Sequence, residues 1–166
     1  RMGISKQKRK SKTHKFLMKK ILYISLLFVG CLTTEAQINT EVEHVQNYIQ
    51  TTSQTEWFDP INKTGVLENG SQYDLSYYVL PDNTLFSIIY TVFDKATLRK
   101  SFYFKNNQLI ACIVEETDTN NANKILKYAD YFIKDNVLIN KEDENKYFPS
   151  TNIINEGLEK INTFNN

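Results

Sequence analysis

From Tyr73 to Asn140, apolar and polar residues alternate in short runs, and one recurring pattern punctuates them. It stands three times, as Leu80-Pro-Asp-Asn-Thr-Leu-Phe86, Phe104-Lys-Asn-Asn-Gln-Leu-Ile110 and Ile133-Lys-Asp-Asn-Val-Leu-Ile139. Each copy starts with an apolar residue, passes a pair of turn formers and resumes with Leu and a second apolar residue. Alternation with a period of two predicts strands. Asn and Asp tolerate the positive φ of a tight turn at the least cost after glycine, so the pairs between the strands predict three β-hairpins.

A two-residue loop at Asp82 and Asn83 sets Leu80 against Leu85 and Val79, Tyr77, Leu75 and Tyr73 against Phe86, Ile88, Tyr90 and Val92, all on one face. The other face then holds Asp74, Ser76 and Tyr78 opposite Thr91, Ile89 and Ser87, the alternation expected of a sheet with one side in the core. The second turn pairs Phe104 with Leu109, Tyr103 with Ile110 and Phe102 with Ala111. The third pairs Ile133 with Leu138 and Phe132 with Ile139, and its last strand is short, as edge strands often are, stopping at the charged run 141–144. Residues 94–97 and 117–123 read as polar connections, giving about six strands, and Asn69-Gly70 after Gly65-Val-Leu-Glu68 offers a seventh.

Two stretches change to helical spacing. Ile38, Val42, Val45 and Ile49 recur along one stripe, with Tyr48 alongside, and Thr40-Glu-Val-Glu43 fits a capping box, predicting a helix over about 41–50. Ile154, Leu158 and Ile161 form a second stripe after Pro149, flanked by Ile153 and Phe164. Gly157 weakens that helix by about 1 kcal/mol relative to alanine, so it is stable only when docked. Trp57-Phe58-Asp59-Pro60 reads as a loop anchor folded over the sheet end, with Trp57 as a candidate ligand-facing aromatic. The fold class is α+β: an N-terminal helix, an antiparallel meander of six or seven strands, and a C-terminal helix packed on one sheet face.

The N-terminal stretch divides the chain into two parts. Lys19 and Lys20 after Met18, the short apolar run 21–32 and Thr34-Glu-Ala36 before Gln37 have the layout of a cleaved export signal. Arg1 to Leu17 is then an extended basic region or sequence upstream of a start at Met18, and 37–166 is a single domain. Phe28-Val-Gly-Cys31 resembles a lipobox, which would put lipid on Cys31, although Phe28 stands where that pattern prefers Leu. Glu-Ala-Gln with the Asn, Lys and Ile bias resembles soluble export signals of Bacteroidetes-like bacteria, which implies cleavage after Ala36. The protein is therefore expected to be periplasmic or secreted, or anchored through Cys31 to the outer membrane.

Charge follows the same division. Residues 1–36 hold nine of the twenty basic and one of the nineteen acidic residues, so 37–166 carries eleven basic against eighteen acidic, a net −7. A domain that acidic argues against nucleic acid as a partner, since phosphate contact needs clustered Lys and Arg.

Candidate chemistry is sparse. Cys112 has no partner cysteine after residue 36 and reads as a small core residue. His44 is the one histidine after that point and reads as solvated, leaving no metal site. Asp118-Thr-Asn-Asn-Ala-Asn123 places Ala122 where a calcium loop needs an oxygen ligand. Glu115 and Glu116 are adjacent on a strand and point to opposite faces, so they cannot converge on one substrate atom. No nucleophile–His arrangement or glycine-rich phosphate loop is present, so no catalytic residue or cofactor is assigned.

The aromatic residues of the strands carry what remains. The rhythm around the turns resembles MORN-type hairpin repeats and PepSY-like small periplasmic domains, without the glycines of the first or a motif of the second, and no family is assigned. Tyr78, beside Ser87 on the more polar face, and Ile89 are the candidate contact residues for a protein or sugar. The leading expectation is a non-enzymatic envelope binding protein, such as an inhibitor or immunity-type partner. The alternative is a protein enclosing an apolar, lipid-like molecule.

Overall fold

The computed structural model describes residues 37–54, 56, 58–139 and 147–165. Cys31, the export segment, Trp57 and the charged run 141–144 therefore lie outside the described residues. Helix α1 spans 37–54. Seven strands follow: β1 (Ile61–Val66), β2 (Gln72–Val79), β3 (Leu85–Phe93), β4 (Ala96–Lys105), β5 (Gln108–Asp118), β6 (Asn121–Lys134) and β7 (Val137–Leu138). They form one antiparallel meander in sequence order, and α2 (Ser150–Asn165) closes the chain. Among the described residues, no helix is long and apolar enough to cross a membrane.

Turn chemistry explains the meander. Asn106 and Asn107 both have positive φ (52° and 60°), as do Asp135 and Asn136 (52° and 61°), so the second and third hairpins close through two left-handed residues. The first differs from expectation. The Leu80 amide donates to Thr84 O and the Asn83 amide to Leu80 O, so the loop is Pro81-Asp82-Asn83, with Asn83 alone at φ 65°. Asp82 Oδ1 accepts from the Thr84 amide and hydroxyl and pins the third residue. Gly70, at φ 86°, closes the β1–β2 turn in the same manner, with the Leu67 amide donating to Ser71 O.

Two bulges correct the expected register. Val79 faces Leu85 rather than Phe86, and Phe86 is the extra residue; from Tyr77 opposite Ile88 onward the expected pairing holds. The residue added in the loop is absorbed at Phe86, whose ring moves to the other face. In the β4–β5 hairpin Phe104 faces Leu109 as expected, but Ile110 is extra, so Tyr103 faces Ala111 and Phe102 faces Cys112. The third hairpin keeps the expected pairing of Ile133 with Leu138. Strands β5 and β6 also run further than expected, to Asp118 and from Asn121.

One face of the sheet builds the core. Tyr77, Ile88, Phe102, Cys112 and Tyr131 lie in a single cross-strand row, each at most 1% exposed. Helix α2 lays Ile153, Ile154 and Ile161 on this face, with Leu158 and Phe164 partly buried against it. Pro149 precedes its first residue, where a missing amide costs nothing. Tyr131 donates from its hydroxyl to the Phe148 carbonyl and fixes the helix start. Gly157, expected only to weaken the helix, has a second role: a Cβ there would stand 2.9 Å from both Phe102 and Leu109, so its absence lets α2 approach the sheet.

Helix α1 extends beyond the 41–50 expectation at both ends, so Thr40 lies inside it rather than capping it. Tyr48 meets the sheet, its ring edge-on to Phe86 at 6.1 Å and under the Lys105 ammonium.

Candidate functional site

The face opposite α2 carries the residues expected to make contacts. Register divides it into rows. Nearest the Asn turns stand Tyr78, Ser87, Tyr103, Ala111 and Phe132. Next come Asn62, Ser76, Ile89, Ser101, Ile113 and Asp130, then Thr64, Asp74, Thr91, Arg99, Glu115 and Tyr128.

The first row is capped by rings. Phe86, turned over by its bulge, stacks on Phe58 at 5.1 Å and meets Tyr103 edge-on at 5.8 Å. Phe58 also stands edge-on to Tyr78 at 5.9 Å. Edge-on and offset contacts of this kind favour the ring quadrupoles beyond the area they bury. Phe58 thus folds over the sheet, whereas Trp57, the residue expected to anchor the loop there, lies outside the described residues. Tyr78 is half-buried under Phe58 and lies at the margin of the cap.

Beyond Ser87 the face opens. Ile89 and Ile113 are half-buried on either side of the buried Ser101. Arg99 and Tyr128 are exposed one row further, with Glu115 half-buried between them. Burial raises the pKa of Tyr103, against the lowering pull of Arg99. Tyr128 is raised by burial and then by the carboxylates of Asp130 and Glu115. Both phenols are therefore neutral hydrogen-bond donors at physiological pH. The arrangement is a small apolar centre between an aromatic cap and a charged, hydroxyl-rich row.

The structure thus brings Tyr78 and Ile89 to one face, two rows of the same sheet, and adds Ile113, Tyr103 and Phe86. Sequence reasoning missed Ile113 because register alone sets it beside Ser101, and missed Phe86 because the bulge is set by packing. Glu115 and Glu116 do point to opposite faces, Glu116 pairing with Lys127 at 2.8 Å on the α2 side. Asp118 Oδ1 accepts from the Asn120 amide and Oδ2 pairs with Lys124 at 3.4 Å, so its oxygens close a turn. Among the described residues, no group of three or more His, Cys, Asp or Glu side chains is placed to hold a metal ion. Cys112 is buried, and burial pushes its thiol far above the ordinary range, the opposite of an activated nucleophile.

A second polar group lies on the other face, between α2 and the sheet. Lys100 Nζ is 2.5 Å from Glu156 Oε2, and Lys160 Nζ is 3.8 Å from Glu156 Oε1. The Lys160 ammonium also sits 3.8 Å from the centre of the Tyr90 ring. Desolvation lowers the pKa of Lys160, and the Glu156 carboxylate opposes that shift. Lys100 and Glu156 are 56 residues apart, a spacing that carries no local signal.

No family model, curated protein or solved structure matches the chain. What fold and site define is a class: an α+β protein with a seven-stranded meander, helix-covered on one face and partly ring-capped on the other.

Proposed function

We propose that the chain is an exported, non-enzymatic binding protein of the bacterial envelope that engages another protein, as an inhibitor or immunity-type partner does. The observation that supports this is the row Ile89–Ser101–Ile113, an apolar centre left half-buried between rings and charges. Interfaces share that anatomy, with an apolar core, a polar rim and aromatic residues nearby. The net −7 of residues 37–166 points to a partner with a basic surface. The composition of residues 18–36 supports export, with Cys31 as the alternative point of lipid attachment.

The test is affinity capture from the envelope fraction of the source cells with the wild-type chain and with Ile113→Asp. The expected result is one stoichiometric species retained by the wild type and lost with Ile113→Asp, whose circular dichroism is unchanged. No retained species, or equal retention by both, counts against the reading. Intact mass of the protein recovered from cells settles the export route: a start at Gln37 without an adduct, or acyl mass on Cys31.

A further inference from the structure

The two edges of the sheet are built differently. Strand β7 is two residues long, the kind of short edge by which sheets discourage further pairing. Strand β1, at the other end of the order, runs six residues and is exposed at all of them but Gly65. Ile61 and Val66 on it are 51% and 66% exposed. Lys63 does not guard this edge, because its ammonium lies back over the Tyr77 ring at 5.2 Å.

The phase of the hydrogen bonds decides which backbone groups of β1 are left over. The Leu67 amide donates to Ser71 O, so alternation along the antiparallel ladder makes Gly65–Tyr73, Lys63–Leu75 and Ile61–Tyr77 the bonded pairs. The amides and carbonyls of Asn62, Thr64 and Val66 therefore point away from β2, with no further strand beyond them among the described residues. Pro60 has no amide to extend this run on one side, and the turn that starts at Leu67 ends it on the other. Thr64 is its midpoint.

A run with a midpoint can pair with itself. A two-fold axis through Thr64, perpendicular to the sheet, sets Thr64 against Thr64 of a second copy, Asn62 against Val66, Lys63 against Gly65 and Ile61 against Leu67. Every outward amide and carbonyl of the run then has a partner. Moving the axis to Lys63 opposes two ammonium groups, and moving it to Gly65 drives Asn62 onto Glu68 in the turn. Tyr73 favours the central register further. A Cβ on Gly65 would stand 2.6 Å from Tyr73 Cε1, Cζ and the hydroxyl oxygen, so this ring reaches over Gly65 toward the edge. Its hydroxyl can there accept from the Lys63 ammonium of the second copy, twice in the dimer.

We infer that the protein pairs with a second copy of itself through antiparallel β1 strands centred on Thr64. The sheet then runs on through both copies, with both α2 helices on one side and both open faces on the other. The pairing uses the sheet edge and stands whether or not the open face binds another protein.

The test is sedimentation equilibrium of the protein as recovered from cells, whose mass is expected to rise with concentration to twice that of the chain. Thr64→Pro removes an outward amide and leaves the ladder to β2 intact. It is expected to weaken the dimer at least about tenfold, with unchanged circular dichroism. Oxidised Thr64→Cys is expected to form a covalent dimer beyond the wild-type background, whereas Asn62→Cys, whose two copies are offset along the strands, is not. A monomer at every concentration overturns the inference, including one whose edge takes a strand of another protein. So does full dimerisation of a folded Thr64→Pro chain, or equal crosslinking from positions 62 and 64. The two cysteine variants decide the matter if Thr64→Pro does not fold.

Discussion

Gly157 of α2 lies so close to Phe102 of β4 that a methyl group on it would stand 2.9 Å from the ring. Helix propensity alone favours alanine there by about 1 kcal/mol. Overpacking against a buried ring and Leu109 costs about 1–3 kcal/mol and outweighs that gain. Gly157→Ala should therefore destabilise the fold by about 1 kcal/mol, read as a lower urea midpoint with an unchanged slope. A higher midpoint would mean that the helix stands off the sheet.

Asn107 provides a test of the turns. Its φ of 60° suits Asn and Gly and opposes a β-branched residue. Asn107→Gly should leave stability unchanged or raise it slightly, whereas Asn107→Val should cost about 1–2 kcal/mol. Equal melting temperatures for the two variants would contradict the left-handed turn.

The meander was legible because its signal is local: a turn pair between alternating strands sets pairing without reference to the rest of the chain. Leu75 opposite Tyr90 and Ile133 opposite Leu138 follow from that alone. The bulges at Phe86 and Ile110 were not legible, since an extra residue is absorbed wherever a ring can be buried, and Phe86 finds Phe58 and Tyr48 on the far face. The same holds for the candidate sites. Tyr78 and Ile89 could be placed on the polar face by alternation, whereas the grouping of Lys100, Glu156 and Lys160 exists only once α2 has docked.

Cys112 should be inert in the folded protein. Burial holds its thiol protonated well past its ordinary value of 9.0. A thiol reagent such as 5,5′-dithiobis(2-nitrobenzoate) should label it in urea and not in buffer, at pH 9 as at pH 7. Rapid labelling of the native chain would contradict the core assignment.

Alkaline pH should unfold the protein. Burial raises the pKa of Tyr48, Tyr77, Tyr90 and Tyr103 above the ordinary 10.0 and that of the Cys112 thiol above 9.0. The unfolded chain therefore loses these protons first, and stability present below those values declines as pH rises through the folded ones. Lys160 works with the opposite sign, since its lowered pKa adds stability between the folded value and 10.5. Together with Tyr128, raised in the same way, these groups outnumber Lys160 and give a net loss, so the urea midpoint should fall steadily above about pH 9–10. A midpoint that is flat to pH 11 would contradict the burial of these side chains.

The central claim is that the sheet face around Ile113 is where a partner sits. A photoreactive amino acid placed at Ile113 in living source cells tests it most directly, with the same residue at the exposed Asn155 of α2 as the control. The account predicts a discrete crosslinked species of higher mass from position 113 and none from position 155. No crosslink at 113, or the same species from both positions, would contradict it.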